Sequence, residues 1–189
     1  MITEQQIKVI AFVGKAGSGK TAAAKYLVDK YGYTRLSFSD GLKKMLLMGL
    51  NVPFEHLYGY KKNEPCPQLC EVTARHAMIT LGTEWGRNLI HPRIWVRTLD
   101  LQMCKLMSKG YKKFVIDDVR FLNEAQWVKD IHKDSVDIIK TRLLRLVRDN
   151  NNKIDHQSET EQDSIEDNGV IYNNGPFESL YSTLDKLIF

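Results

Sequence analysis

A chain of 189 residues, 43% hydrophobic and 26% charged, can bury roughly 70% of its unfolded surface, so it needs no disulfide or metal staple. Its formal charge of +4 suits a protein that handles anions, but it is too small and too dispersed to mark a nucleic-acid surface. No apolar run approaches the ~20 residues that span a bilayer, "MITEQQ" lacks the basic and apolar regions of a secretory leader, and three cysteines leave one unpaired; the expectation is a cytoplasmic protein with reduced thiols and no membrane partner.

"IKVIAFV" (residues 7–13) is a continuous apolar run without helical gaps, which predicts a strand buried on both faces. It runs directly into Gly14, Lys15, Ala16, Gly17, Ser18, Gly19, Lys20 and Thr21, which together satisfy GxxxxGK(S/T) in full. That pattern needs a strand before it and a helix after it, and "KTAAAKYLVDKYG" supplies good helix formers with Gly32 near the end. Glycines let successive backbone N–H groups converge on one anion, and the helix start adds its positive end. The pattern therefore predicts a triphosphate cradle, with Lys20 on the β- and γ-phosphates and the Thr21 hydroxyl on Mg²⁺. A solvated glycine turn is the competing reading.

"TRLSF" reads as a second strand, and Ser39 or Asp40 can cap a helix through "LKKMLLMGL". Residues 51–70 hold Pro53, Pro65 and Pro67 with Gly59 and read as loop-rich. From Glu71 to about Gly110 the pattern is helical, interrupted near Gly82 and at "HPR". "KKFVIDDVRF" is a third strand ending in acids. An acid at that end faces the crevice where open α/β sheets bind ligands, so Asp117 or Asp118 is expected to hold Mg²⁺ or orient an acceptor oxygen. Alternation along the strand prevents both from doing so. Arg120 lies just beyond.

"NEAQWVKDIHK" predicts a helix, and "VDIIKTRLLRLVR" a fourth strand toward its C-terminal end. A strand into Arg148 puts Arg142 and Arg148 on one face and Arg145 on the other, with Arg142 solvated near the start. "DHQSETEQDSIED" (residues 155–167) carries six acids and no lysine or arginine; it reads as a disordered loop or a mobile lid. "GVIY" is a short fifth strand and "PFESLYSTLDKLI" a closing helix. Strands separated by helices imply a parallel sheet covered on both faces.

Four stretches, "SFSDGLKKML", "LGTEWGRNLIHPRIWVRTL", "FVIDDVRFLNEAQWV" and "LVRDNNNKIDHQSET", resemble in order and spacing the bacteriophage deoxynucleoside monophosphate kinases, a branch of the P-loop nucleoside monophosphate kinases. The resemblance spans nearly the whole chain. It implies a three-layer sandwich with a five-stranded parallel sheet in the order 2-3-1-4-5, forming one domain over residues 1–189. An acceptor-binding helical insertion is expected near residues 40–97 and a lid near 149–166. It also implies ATP- and Mg²⁺-dependent phosphorylation of a deoxynucleoside 5′-monophosphate to the diphosphate. Asp40, Lys43, Trp85, Arg87 and Glu124 then belong to acceptor binding, together with the lid residues His156, Ser158 and Glu159. Lys20, Asp118, Arg120 and Arg148 serve the transfer, and Thr21 and Asp118 the metal. Oligomeric state stays open, with a homodimer the form that many such kinases take.

Other readings carry less. The lid departs from related kinases in having no arginine after Arg148 and only Lys153 as a lysine. Cys66 and Cys70 near His56 and His76 lack the second matched pair of a zinc site. Trp85 and Trp95 can stack on the acceptor base, although tryptophans in amphipathic helices are more often core, and Phe38 near the acceptor site reads as core. A kinase of another small acceptor, of the phosphomevalonate or dephospho-coenzyme A type, is the nearest alternative. A nucleic-acid-associated ATPase would need a basic stripe with interleaved aromatics, which the sequence does not offer.

Overall fold

The computed structural model describes residues 6–131, 138–149 and 161–187. These fall into two compact units, one from residues 1–37 with 103–189 and the other from 38–102.

The first unit is built on five parallel strands in the order β2-β3-β1-β4-β5: β1 (Ile7–Val13), β2 (Thr34–Leu36), β3 (Lys113–Val119), β4 (Ile139–Val147) and β5 (Val170–Tyr172). β1 lies between β3 and β4, with Val13 opposite both Val119 and Arg145. Its apolar run is thus explained by burial on both faces. Ile10, Phe12, Val115, Leu144, Leu146 and Ile171 point to one face. There they pack on Ala23, Ala24 and Leu27 of α1 (Lys20–Tyr31) and on Leu180 and Leu184 of the closing helix, α7 (Phe177–Leu187). Val9, Ala11, Phe114, Ile116 and Leu143 alternate to the opposite face, also buried, and α6 (Leu122–Asp130) packs against β4. α1 ends at Gly32, whose φ of 69° lets its N–H close onto the carbonyls of Leu27 and Val28.

β4 takes in nine residues of the "VDIIKTRLLRLVR" stretch, more than the expected C-terminal part, and stops one residue before Arg148. Arg142 is half-buried rather than solvated, because its guanidinium donates to the Leu187 carbonyl at the end of α7.

The second unit opens with α2 (Asp40–Leu50). Ser39 occupies the cap position without a side-chain capping bond, and at the other end Asn51 adopts the left-handed conformation. The proline-rich stretch forms the one-turn helix α3 (Phe54–Leu57) and two 3₁₀ turns, Tyr60–Asn63 and Pro67–Leu69. α4 (Ala74–Ile79) is capped by the Thr73 hydroxyl, which accepts from His76 N–H at 3.2 Å.

Sequence reading places a break near Gly82. Instead the chain stays helical and widens into a π-helix over Thr80–Ile90, followed by α5 (Ile94–Met107). The cause is Trp95. Its buried indole donates from Nε1 to the Gly82 carbonyl at 2.7 Å and lies where a Cβ on Gly86 would be, at 2.7–2.9 Å. No helix among the described residues is long and apolar enough to cross a membrane.

Candidate active site

β1 delivers the glycine-rich loop at its carboxyl end, between the ends of β3 and β4. Gly14 has φ 147°, and a Cβ there would lie 2.2 Å from the Leu146 carbonyl oxygen. Only glycine fits so close to β4. Ser18 N–H closes a turn onto the Lys15 carbonyl at 3.1 Å, and Ala23 N–H bonds to Gly19 O at 2.9 Å as α1 begins. Lys20 is only 8% exposed. Its ammonium is held inside the loop by the carbonyls of Gly14 and Lys15 (2.8 Å to the latter) and lies 3.4 Å from Ser18 Oγ. Thr21 is exposed at the first turn of α1. Lys15 points outward and pairs with Asp163 at 3.3 Å, an exposed contact worth little energetically.

The two acids of β3 are in different environments. Asp117 is buried, and Arg35 of β2 grips it with Nε and Nη2, each 2.9 Å from a carboxylate oxygen. Asp118 is half-buried and accepts a short hydrogen bond from Ser37 Oγ. Arg120 is half-buried just beyond. The buried Glu124 carboxylate accepts from the N–H groups of Arg120 (2.8 Å) and Phe121 (3.2 Å), so it caps α6.

At the end of β4, Arg148 is exposed. Arg145 reaches the last part of the acidic stretch: it bonds Asp167 at 2.7 Å and the carbonyls of Gln162 and Ile165. Gln162 and Ile165 are buried, and Glu161 accepts from Leu122 N–H at 2.8 Å. Residues 161–167 are thus built onto the first unit. His156, Ser158, Glu159 and Lys153 lie outside the described residues.

Within the second unit, Asp40 and Lys43 are buried on α2, and the Lys43 ammonium stands 4.8 Å from the Tyr58 ring centroid. Gly41 and Gly86 both abut Trp95: a Cβ on either would stand 3.5 Å and 2.7 Å from the indole, respectively. One indole therefore gathers Asp40–Gly41 and Gly86–Arg87. Arg87 is buried and donates to the Pro92 carbonyl at 3.2 Å. Trp85 is 36% exposed with its ring 6.4 Å from that of Trp95, whereas Trp95 and Phe38 are core. Cys66 and His56 are buried, Cys70 and His76 exposed. Among the described residues no three metal-binding side chains cluster.

Sequence reasoning missed Arg35, Ser37 and Asn173. Asn173 follows β5, is buried, and donates from Nδ2 to the Ser18 carbonyl at 2.9 Å. A polar pair directly after the short fifth strand, at the carboxyl edge of the sheet, was the available signal.

A profile of the deoxynucleotide monophosphate kinase family matches residues 62–184. A protein of Acanthamoeba polyphaga mimivirus, described as a deoxynucleotide monophosphate kinase, is 30% identical over 193 residues, covering 93% of each chain. The deoxynucleoside-5′-monophosphate kinase of Escherichia phage T5 is 30% identical over 89 residues, 47% of this chain and 34% of that one. In fold the chain is similar to a Thermus thermophilus protein (TM-score 0.53, 15% identity, 96% of each chain). It is also similar to a kinase-like protein of Chloroflexus aurantiacus (TM-score 0.50, 10% identity, 98% and 97% coverage).

Proposed function

The chain belongs to the deoxynucleotide monophosphate kinase family, and on that premise we propose that it transfers the γ-phosphoryl group of ATP to a deoxynucleoside 5′-monophosphate. An oxygen of the acceptor phosphate bonds to the γ-phosphorus, the bond to the β-phosphate oxygen breaks, and a deoxynucleoside diphosphate and ADP leave. The observation that carries this reading is the glycine loop at the end of β1, with Lys20 buried in it.

The acceptor oxygen belongs to a phosphate whose second pKa is about 6, so it is mostly ionised at neutral pH without a side-chain base. The remaining task is positioning and charge neutralisation. The amides of residues 14–21 receive the β- and γ-phosphates, and Lys20 turns from its loop carbonyls to them. Arg120 and Arg148 add charge at the neighbouring strand ends. Thr21 and Asp118 offer the hard oxygen donors that suit Mg²⁺, which takes one or two protein oxygens and fills its shell with phosphate and water. When bound, that ion would neutralise the charge that develops on the phosphates during transfer. Asp117, engaged by Arg35, is the less suited of the two acids. Asp40, Lys43, Arg87 and Trp85 take the acceptor nucleotide, Trp85 through its exposed ring, and Glu124 supports Arg120. His156, Ser158 and Glu159 keep the lid role that the resemblance gives them. A cytoplasmic location, that of the host if phage-encoded, and no nucleic-acid partner complete the reading; the oligomeric state stays open.

The test is a coupled assay with ATP and Mg²⁺ across all deoxynucleoside and ribonucleoside monophosphates, hydroxymethylated pyrimidines, phosphomevalonate and dephospho-coenzyme A. Diphosphate formation on a deoxynucleotide is expected. Lys20→Ala should cut the rate by at least 10²–10³, on the order of the loss of one transition-state donor, with an unchanged far-UV spectrum. Acceptor-independent hydrolysis, or full activity of the Lys20 variant, would overturn the proposal.

A further inference from the structure

Asn173 sits one residue past β5 and is 2% exposed. Its backbone N–H donates to the Val147 carbonyl at 2.8 Å, which carries the β4–β5 ladder one step beyond Tyr172 and fixes the residue on the sheet. From that position its Nδ2 donates to the Ser18 carbonyl at 2.9 Å. The same nitrogen lies 2.3 Å from where a Cβ on Gly19 would be. The next residue strengthens the mount. Asn174 and Asp149 exchange hydrogen bonds, Asp149 N–H to Asn174 Oδ1 at 2.9 Å and Asn174 Nδ2 to Asp149 Oδ2 at 2.7 Å. The turn after β5 is therefore held at two points on the chain leaving β4.

A trans peptide is planar, so its C=O and N–H point in opposite directions. Fixing the Ser18 carbonyl consequently fixes the direction of the Gly19 N–H. Gly19 has φ 102° and no side chain to restrain it, and glycine passes between such conformations at low cost. We propose that Asn173 is a positioning residue of the phosphate loop: it locks the Ser18–Gly19 peptide so that the Gly19 amide faces the bound phosphates. This rests on the reading of residues 14–21 as a nucleotide cradle. It adds a residue about 150 positions downstream that never touches the nucleotide phosphates itself.

Two uncharged substitutions test it. Asn173→Leu keeps the side chain's shape and removes the donor, and Asn173→Ser withdraws the donor from reach. Binding of MgADP is measured by calorimetry on the full chain beside wild type and Lys20→Ala, and the Gly19 amide is followed by NMR. With the buried carbonyl left unpaired, the dissociation constant of MgADP and the KM for ATP should rise about tenfold in both variants. The acceptor's KM at saturating ATP should stay within about twofold, since the loop amide belongs to the donor side alone. The Gly19 resonance should lose the displacement that MgADP produces in wild type. Wild-type affinity in a folded variant would overturn the proposal, and so would an equal loss of acceptor binding. Failure of both variants to fold would make Asn173 a residue of the sheet and overturn it too. Wild type that binds no MgADP would instead remove the cradle reading, and this proposal with it.

Discussion

Asp117 and Asp118 are chain neighbours, yet alternation along β3 sends them to opposite faces, and only one remains partly open to solvent. Sequence reading identified the pair but could not divide the roles. The deciding partner, Arg35, comes from a three-residue strand whose place beside β3 follows from the Leu36–Ile116 register. Pairing between strands 80 residues apart leaves no local trace. The Arg35–Asp117 contact has unequal ends: the side chain of Asp117 is 3% exposed and that of Arg35 33%. Removing the partner of a buried charge is the costly direction. Arg35→Met should therefore lower stability by about 3 kcal/mol, the cost of taking the charged partner from a buried carboxylate. Asp117→Asn should cost only about 1 kcal/mol, because the guanidinium can turn to water and the amide still accepts a hydrogen bond. Urea unfolding at neutral pH measures both. Equal losses would mean that the carboxylate is better solvated than its burial indicates.

At the scale of elements, "LGTEWGR" carried the resemblance, and the structure gives it a mechanical meaning. The sequence pattern signalled an interruption at Gly82, since glycine weakens a helix interior by about 1 kcal/mol. What the pattern could not encode is that Trp95, thirteen residues on, bonds the Gly82 carbonyl and occupies the space beside Gly86. The helix widens instead of breaking. The two glycines then differ in kind. A Cβ on Gly86 would stand 2.7–2.9 Å from three indole atoms, whereas on Gly82 it would meet only Leu42 Cδ2 at 3.3 Å. Alanine gains about 1 kcal/mol of helix propensity at either position. At Gly86 this is outweighed by overpacking against a rigid, hydrogen-bonded ring, about 1–3 kcal/mol. Gly86→Ala should therefore destabilise by up to about 2 kcal/mol, and Gly82→Ala should be near neutral. Chemical denaturation of the two variants separates them. The acidic stretch teaches the same lesson: its charge suggested a mobile segment, but Arg145, three residues before Arg148, builds residues 161–167 onto the sheet. A three-residue spacing of arginines fits strand or helix and does not disclose its partners.

For the whole molecule, alternating apolar runs and helices made the parallel sheet readable. The strand order came from the resemblance, because crossover connections are not written in local pattern. Neither source foresaw how the chain closes. Asp185 on α7 accepts hydrogen bonds from Tyr26 (2.6 Å), Tyr31 (2.7 Å) and Lys30 (2.8 Å) on α1, about 155 residues away. Tyr181 stacks on Tyr26 at 4.1 Å beside them. The Lys30 ammonium first, and then the two phenol hydroxyls, hold the Asp185 carboxyl down at about 2 from an ordinary 3.8. Above about pH 4 the group is ionised in both the folded and unfolded chain, and the clasp contributes fully. As pH falls from about 4 to 2 the unfolded chain takes up a proton that the folded chain still refuses, so stability drops. By about pH 1, below both values, the carboxylate's contribution is gone. Asp185→Asn lacks this titration. Thermal midpoints of the two proteins should differ by a constant amount from pH 7 to about 4.5, narrow steeply towards pH 2 and converge by about pH 1. A gap that does not narrow between about pH 4.5 and pH 1 would show that Asp185 serves this closure through packing rather than through its charge.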